Sequence, residues 1–135
     1  MSKMVLFLCV QNAARSQMAE GFFRKYARNI RCMSAGTLPA DKVNPNAVTV
    51  MKEVGIDISA SQPKVVSNEM LQHSTIIINM GCMENNFCPS VLLKDKILED
   101  WDIEDPAGKS IEKVREIRDQ IETKVVNLIR QLSGN

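Results

Sequence analysis

The stretch that decides the fold is residues 5–21, which read VLFLCVQNAARSQMAEG. The segment from Lys3 to Cys9 is a continuous apolar run, typical of a strand buried on both faces of a parallel sheet. From Ser16 to Ala27 the apolar residues recur at helical spacing. They are Met18, Ala19, Phe22, Phe23 and Tyr26. This pattern predicts a buried strand, a short turn and an amphipathic helix.

The rest of the chain continues this alternation. Further strands are predicted at residues 30–34, 75–80 and 97–101, and helices at 44–54, 68–73 and 110–132. Strands that alternate with helices indicate a parallel sheet, and right-handed crossovers leave few topologies. We therefore expect an α/β fold, with a four-stranded parallel sheet in flavodoxin-like order and helices on both faces.

Length and composition indicate a single globular domain and argue against several other classes of protein. The chain has 135 residues, which suits a single domain spanning residues 1–135. It is 44% hydrophobic and 24% charged with a net charge of +1. These values argue against a disordered chain, a membrane span and a general nucleic-acid binder. The apolar run from Met4 to Val10 leads into a polar loop rather than a cleavage site, so we expect a cytoplasmic protein.

Four cysteines in a cytoplasmic chain favour catalysis, redox exchange or metal binding over a structural disulfide framework. Cys9 closes the first predicted strand, and in such sheets ligands bind at the carboxyl ends of the strands. A cysteine at a strand end is often only a small hydrophobic residue. Its place at a strand-to-helix turn favours a functional thiol instead.

Five residues separate Cys9 from Arg15, enough for the backbone N–H groups to converge on one point beside the positive end of the helix. The same dipoles and the Arg15 guanidinium favour a Cys9 thiolate, and Arg15 can bind two oxygens of a tetrahedral anion. Asn12 can hold the loop together, and Ser16 can donate to the thiolate. The predicted oxyanion-binding residues are Val10, Gln11, Asn12, Ala13, Ala14, Arg15 and Ser16.

The segment from Val5 to Gly21 resembles the low-molecular-weight protein tyrosine phosphatase superfamily, and within it the arsenate reductases. Three later segments fit that branch in order: residues 34–36 (SAG), 55–59 (GIDIS) and 105–109 (DPAGK). The resemblance implies the low-molecular-weight phosphatase fold. It also implies that Asp105 is the general acid that protonates the leaving oxygen while Cys9 attacks.

The choice between phosphatase and reductase rests on Cys82 and Cys88, which follow the third predicted strand on the same side of the sheet as Cys9. A reductase must supply two electrons and so needs further thiols. By resemblance to the thioredoxin-coupled reductases, Cys82 attacks Cys9 and releases arsenite. Cys88 then attacks Cys82, and thioredoxin reduces the Cys82–Cys88 disulfide. One alternative is that Cys82 and Cys88 are unrelated thiols beside a strand. A zinc site is the other, but His73 is the only histidine and no close cysteine pair completes four ligands.

The loop departs from the thioredoxin-coupled pattern, since Gln11, Ala13 and Ala14 stand where those reductases commonly carry Gly, Ser and Cys. This form resembles a branch that includes mycothiol-linked reductases, so a small thiol is an alternative donor. Some relatives also bind potassium with the equivalents of Asn12, Glu20 and Ser34 and an aspartate. Lys64 occupies the aspartate position here. We expect its ammonium to replace the cation, and we expect neither a metal nor a bound cofactor.

The leading hypothesis is therefore a monomeric arsenate reductase for arsenic detoxification, with arsenate or phosphate as the bound oxyanion and a thioredoxin-like protein as partner. Neither nucleic acid nor a membrane is expected as a partner. A low-molecular-weight tyrosine phosphatase is the second hypothesis. Against it, the general-acid loop continues with Ala107 and Gly108, where such phosphatases usually place an aromatic residue. A weak phosphatase side activity fits either case. An oxyanion-sensing or thiol-redox module without turnover is the third hypothesis.

Overall fold

A computed structural model describes residues 3–27, 29–80 and 97–133. Its four strands form one parallel sheet in the order β2-β1-β3-β4. They are β1 (Met4–Cys9), β2 (Arg31–Gly36), β3 (Ile76–Asn79) and β4 (Ile97–Asp100). The described helices are α1 (Arg15–Tyr26), α2 (Pro45–Glu53), α3 (Asn68–His73) and α4 (Ile111–Ser133). The predicted α/β fold with a flavodoxin-like order is confirmed.

Strand β1 lies in the middle of the sheet and carries an apolar side chain toward each face in turn. Phe7 and Cys9 belong to the larger core, which α1, α2 and α4 cover. The Phe7 ring packs edge-on to Phe23, with 5.8 Å between ring centroids. Leu6 and Leu8 belong to the smaller core on the opposite face, together with residues of α3 and β3. Because both faces are covered, a continuous apolar run rather than an alternating one is what β1 requires.

Strand β2 extends further than predicted. Ala35 and Gly36 read as a turn in the sequence, but they pair with Leu8 and Cys9 in the parallel ladder. The Gly36 N–H also donates to the carbonyl of Lys64 at 2.8 Å, on the side of the strand away from β1. Hydrogen bonds on both sides keep the segment extended, and this brings Gly36 beside the loop that follows β1.

Helix α2 begins with a cap that also fixes its place in the fold. The Asn44 side chain accepts from the N–H groups of Asn46 at 2.8 Å and Ala47 at 3.4 Å. Pro45 occupies the first helical position, where its missing N–H costs nothing. The Asn44 N–H donates to the carbonyl of Ala13 at 2.8 Å, so the start of α2 is tied to the loop after β1.

Tyr26 differs from the sequence prediction, which placed it on the apolar face of the first helix. Its side chain is 42% exposed, and its hydroxyl donates to Glu122 of α4 at 2.6 Å. Its ring stacks on Phe22 with 6.4 Å between centroids. The residue therefore covers the edge of the core and keeps its polar end in water, as tyrosine commonly does.

Among the helices of the described ranges, none combines the length and the apolar character needed to cross a bilayer.

Helix α4 packs along α1 through one apolar stripe, so its central residue should carry much of the stability. Ile121 is fully buried in the larger core. We expect Ile121→Ala to lower the free energy of unfolding by about 2–5 kcal/mol, since it removes three carbons and leaves a cavity. Gln120→Ala, at an exposed position of the same helix, should change it by no more than about 0.5 kcal/mol. Urea unfolding followed by circular dichroism measures both, and equal effects would contradict the packing described.

Candidate active site

Cys9 lies at the carboxyl end of β1, at the point where the chain turns toward α1. Its side chain is buried, with 2% of its surface exposed. The Sγ atom is 2.9 Å from the Ser16 hydroxyl and accepts from the backbone N–H of Asn12 at 3.2 Å. Two polar groups thus converge on a sulfur atom that is otherwise surrounded by the core. The N–H donates to the sulfur, and the Ser16 hydroxyl lies within hydrogen-bond distance of it.

The loop at residues 10–14 turns its carbonyl oxygens away from Cys9. Those of Val10, Gln11 and Ala13 accept from N–H groups of the segment 38–44, at 2.8, 3.0 and 2.8 Å. In a trans peptide the next N–H points opposite to the carbonyl. The N–H of Asn12 follows this rule, since it points to the Cys9 sulfur. The loop therefore presents N–H groups to the space in front of the thiol.

Asn12 is the residue that closes the loop, and its backbone is left-handed with φ of +52°. Its side-chain amide is fully used. Nδ2 donates to Ser16 at 2.7 Å and to Ser34 at 3.0 Å. Oδ1 accepts from Gln17 at 3.1 Å and from the backbone N–H of Lys64 at 3.0 Å. Asparagine tolerates this conformation better than most residues, and four hydrogen bonds hold it there.

The start of α1 has no side-chain cap. Ala14 occupies the cap position and cannot accept from the first N–H groups, and the first turn carries no acidic residue. These N–H groups and the positive end of the helix dipole favour an anion at this place. This is the place at which the sequence predicts an oxyanion cradle around Cys9.

Arg15 begins α1 and its side chain is nearly buried. One guanidinium nitrogen, Nη1, donates to the carbonyl of Ile103 at 3.1 Å. The other, Nη2, lies 3.8 Å from the Asp105 carboxylate. A guanidinium held in this way can bind a tetrahedral anion by exchanging its present partners for two oxygens.

The Asp105 carboxylate faces the cradle from the loop before α4. Its side chain is 62% exposed, and its Oδ1 accepts from the Ala107 N–H at 3.0 Å. A small cavity of roughly 20 Å³ separates this loop from the thiol. Its lining residues are Cys9, Gln11, Ala13, Ala14, Arg15, Asn44, Asp105 and Ala107. The structure thus brings the predicted nucleophile, guanidinium and carboxyl group around one opening.

Two of the predicted site residues, Cys82 and Cys88, lie outside the described residues. Met80, two positions before Cys82 in the sequence, is described. Its N–H donates at 2.7 Å to the carbonyl of Leu8, the residue before Cys9. His73 is an exposed residue at the end of α3, as expected.

Sequence reasoning missed Gln17, which is buried at 1% exposure on α1. Its Nε2 donates to both oxygens of Asn12 at 3.1 Å and reaches the Gln62 carbonyl at 3.4 Å. A polar residue beside the apolar face of a predicted helix was the only signal. The role of Gln17 depends on the segment 62–64 lying against the loop, and hydrophobic periodicity does not reveal that contact.

The residues whose equivalents bind potassium in some relatives are engaged with each other here. Glu20 accepts from Ser34 through Oε1 and from Arg24 through Oε2, each at 2.7 Å. Asn12 donates to Ser34, so its Nδ2 side rather than an oxygen faces this group. The residues therefore do not fit a bound cation. Lys64 contacts Asn12 through its backbone N–H, and Arg24 rather than Lys64 compensates the Glu20 charge. Within the described ranges no cluster of three metal-binding side chains occurs.

Cys32 on β2 carries a half-buried thiol close to Glu20 and Arg24. Burial raises its pKa to about 11, the negative charge of Glu20 adds to this, and a hydrogen bond to Arg24 opposes it. A raised pKa keeps the thiol protonated and unreactive at neutral pH. Cys32 also lies inside a predicted strand, and this environment is that of a structural residue.

We therefore expect native Cys32 to resist iodoacetamide at pH 8 and to be alkylated progressively as the pH rises toward 11. The same cysteine in urea should be alkylated readily at pH 8, because the unfolded thiol has lost its burial. Peptide mass spectrometry after timed alkylation measures the two rates. Similar rates in native and unfolded protein at pH 8 would contradict the raised pKa.

Gly36 supports the loop from behind, and no side chain fits at this position. A Cβ atom built there would lie 2.5 Å from the carbonyl oxygen of Val10 and 2.9 Å from the backbone nitrogen of Asn12. We expect Gly36→Ala to displace the loop and weaken binding of inorganic phosphate about tenfold or more, with a loss of stability of about 1–3 kcal/mol.

Gly21→Ala is the matched control, because its added Cβ would meet only side chains, with Ile56 nearest at 3.1 Å. Calorimetric titration with phosphate should show near-normal affinity for that control. Normal affinity in Gly36→Ala as well would mean that the loop can be supported in another way.

The sequence and structure were compared with known proteins. Residues 4–135 match the family model described as low molecular weight phosphotyrosine protein phosphatase. The glutaredoxin arsenate reductase of Synechocystis sp. is 37% identical over 132 residues, covering 97% of this chain and 99% of that protein. The chain also resembles a solved arsenate reductase in the phosphate binding state, with a TM-score of 0.87, 37% identity and coverage of 97% of this chain and 99% of that one.

A second similar structure is a thioredoxin-dependent arsenate reductase of Corynebacterium glutamicum, with a TM-score of 0.83 and 34% identity. It covers 98% of this chain, which spans 63% of that one. The resemblance stated from the sequence motifs is thereby confirmed. The chain belongs to the low molecular weight phosphotyrosine protein phosphatase family.

Proposed function

We propose that this protein is an arsenate reductase that converts arsenate to arsenite. The observation that carries the proposal is the buried Cys9 sulfur, which receives the Asn12 N–H at 3.2 Å beneath an uncapped helix start. Relatives and solved structures that cover nearly the whole chain are named arsenate reductases. One of those structures holds phosphate, an anion with the shape and charge of arsenate.

In the first step the Cys9 thiolate attacks arsenic, an S–As bond forms and one As–O bond breaks. The cradle N–H groups and Arg15 bind the remaining oxygens and stabilise the charge that develops on them. Asp105 gives a proton to the departing oxygen, which leaves as water. The 3.8 Å between Arg15 and Asp105 keeps the acid beside the anion site.

In the second step the Cys82 thiolate attacks the Cys9 sulfur. A Cys9–Cys82 bond forms, the S–As electron pair passes to arsenic, and arsenic leaves in the +3 state as arsenite. Cys88 then attacks Cys82, which returns Cys9 as a thiolate and leaves a Cys82–Cys88 disulfide. Support comes from Met80, whose backbone N–H donates to the Leu8 carbonyl at 2.7 Å, so that β3 ends beside the end of β1 that carries Cys9.

The electron donor that we propose is a thioredoxin-like protein, which would reduce the Cys82–Cys88 disulfide. A small thiol is the alternative, and the names of the similar proteins include both a thioredoxin-dependent and a glutaredoxin reductase. Chemistry with free thiols needs a compartment that keeps them reduced, so we place the reaction in the cytoplasm. We further propose that residues 1–135 act as one domain and as a monomer.

Phosphotyrosine hydrolysis is the less favoured alternative. A phosphatase for aromatic esters needs a surface against which the phenyl ring can pack. Of the described residues, those that line the cavity above Cys9 include no aromatic side chain. Ala107 lies at the rim of that cavity. A small tetrahedral anion suits these dimensions better than an aryl phosphate.

The deciding experiment mixes fully reduced protein with arsenate in the absence of any added thiol. We expect two of the four thiols to be lost and a Cys82–Cys88 disulfide to be found by mass spectrometry. Cys9→Ser should lose none, because no arsenic adduct forms, and its turnover should fall by about three orders of magnitude or more. Cys88→Ser should stop at a Cys9–Cys82 disulfide.

Cys32→Ser is the control, since it removes a thiol that lies outside the proposed relay, and it should still lose two thiols. Adding thioredoxin with its reductase, or a small thiol, then identifies the donor that restores turnover. Unchanged thiols in the wild-type protein, together with rapid phosphotyrosine hydrolysis that survives Cys82→Ser, would establish the phosphatase instead.

A further inference from the structure

A chain of hydrogen bonds connects the surface of α1 with the Cys9 thiol. It starts at Glu20, whose side chain is only 9% exposed. One carboxylate oxygen accepts from the exposed guanidinium of Arg24 at 2.7 Å. A carboxylate with so little contact with water is costly unless a positive charge and hydrogen bonds compensate it. Arg24 supplies that charge from the next turn of the same helix.

The other carboxylate oxygen of Glu20 accepts from the Ser34 hydroxyl at 2.7 Å. A hydroxyl has a single hydrogen. Because Ser34 gives it to Glu20, its oxygen can only accept from Asn12, whose Nδ2 lies 3.0 Å away. The negative charge of Glu20 therefore decides the direction of the next hydrogen bond.

The direction of the hydrogen bonds is also fixed between Asn12 and Cys9. Its Nδ2 donates its second hydrogen to Ser16 at 2.7 Å. With its oxygen used as an acceptor, the Ser16 hydroxyl has its hydrogen available for Cys9, whose Sγ is 2.9 Å away. A thiolate can only accept, so this direction is the one that favours the ionised sulfur.

We propose that Arg24 is a positioning residue for the Cys9 thiolate and that it acts through the buried carboxylate of Glu20. This inference rests on the proposed role of Cys9 as the nucleophile. Arg24 does not touch the anion site. It compensates the charge that keeps Ser34 donating to Glu20, and the bonds from Asn12 to both serines follow from that. An external cation is not required, because the guanidinium occupies that role.

Removal of Arg24 would leave an uncompensated carboxylate, which must either bind a proton or draw in water. A protonated Glu20 can itself donate to the Ser34 oxygen. That oxygen is then less available to accept from Asn12, and the Ser34 hydrogen is no longer directed toward Glu20. The expected consequence is a weaker hydrogen bond to the Cys9 thiolate. The effect should appear in the reactivity of Cys9 even without substrate.

The test follows alkylation of Cys9 by iodoacetamide between pH 5 and 9, with the Cys9 peptide quantified by mass spectrometry. We expect Arg24→Gln to move the pH profile upward and to slow alkylation at pH 7 by about fivefold to tenfold. Arg24→Lys should restore the rate to within about twofold, since it keeps a positive charge near Glu20.

Lys25→Gln is the matched control, because it removes the same charge from the next position of the helix. Lys25 donates to the Val54 carbonyl at 3.2 Å and lies over the Tyr26 ring rather than beside Glu20. Its profile should match that of the wild type. An equal shift in both variants would mean a general electrostatic effect and would overturn the proposal, as would an unchanged profile in Arg24→Gln.

A double-mutant cycle tests the route through the carboxylate. In a Glu20→Gln background, Arg24→Gln should cause no further slowing, because the charge that it compensates is gone. Additive effects would overturn the proposal. The wild-type profile should also stay the same when potassium chloride is replaced by tetramethylammonium chloride at equal concentration, and a potassium-dependent shift would count against Arg24.

Alkylation needs neither arsenate nor an electron donor, so its outcome is independent of the reductase assay. A shifted profile without arsenate reduction would refute the proposed activity and leave the role of Arg24 in place. Urea unfolding of each variant supplies the remaining comparison. A loss of stability without a shifted profile would show that the Glu20–Arg24 pair is only structural.

Discussion

The proposed oxyanion cradle depends on the left-handed backbone of Asn12. That conformation turns the chain so that the Asn12 N–H points at the Cys9 sulfur while the preceding carbonyl points away from it. A left-handed residue other than glycine costs of the order of 1 kcal/mol. The four hydrogen bonds of the Asn12 side chain offset this cost. Two of the partners, Ser16 and Gln17, lie on α1, and the other two, Ser34 and Lys64, come from distant parts of the chain.

The surroundings of the loop form a frame that leaves it little freedom. Gly36 touches it from the neighbouring strand, the segment 38–44 satisfies its outward carbonyls, and Gln17 bonds to it from α1. Each contact is made by backbone atoms or by a buried side chain. The N–H groups are therefore in place before an anion binds, and such preorganisation is the largest contribution to stabilising charge in a transition state. The candidate active site is in this sense formed by the whole carboxyl end of the sheet and not by the loop alone.

Much of this architecture follows from local patterns. The apolar run of β1 and the long stripe of α4 predict elements whose ends lie within one or two residues of those observed. The strand-to-helix position of Cys9 and Arg15 places them together by topology alone, and the Asp105 loop joins them as predicted. Strand β2 was predicted too short, because Ala35 and Gly36 have turn-like residue types but find partners on both sides.

The contacts that escaped prediction are polar and long-range. The Lys64 backbone reaches Asn12, and the Gln62 carbonyl reaches Gln17, because the segment after α2 folds back over the loop. The compensation of Glu20 was expected from Lys64, yet Arg24 provides it, since residues four apart on a helix lie side by side. Periodicity reports which face of an element is buried. It does not report which buried polar groups meet.

The bare start of α1 has a thermodynamic consequence. Most helices satisfy their first N–H groups with a side chain, but Ala14 offers none, so these N–H groups can donate to an anion. Anion binding and folding are then linked: any tetrahedral oxyanion that enters the cradle adds to the stability of the folded chain in proportion to the logarithm of its concentration. In a cell, phosphate is such an anion, so it would act at once as a stabilising ligand and as a competitor of the substrate. In the proposed mechanism the cradle accepts both anions, so the selection of arsenate has to arise in the steps that follow binding.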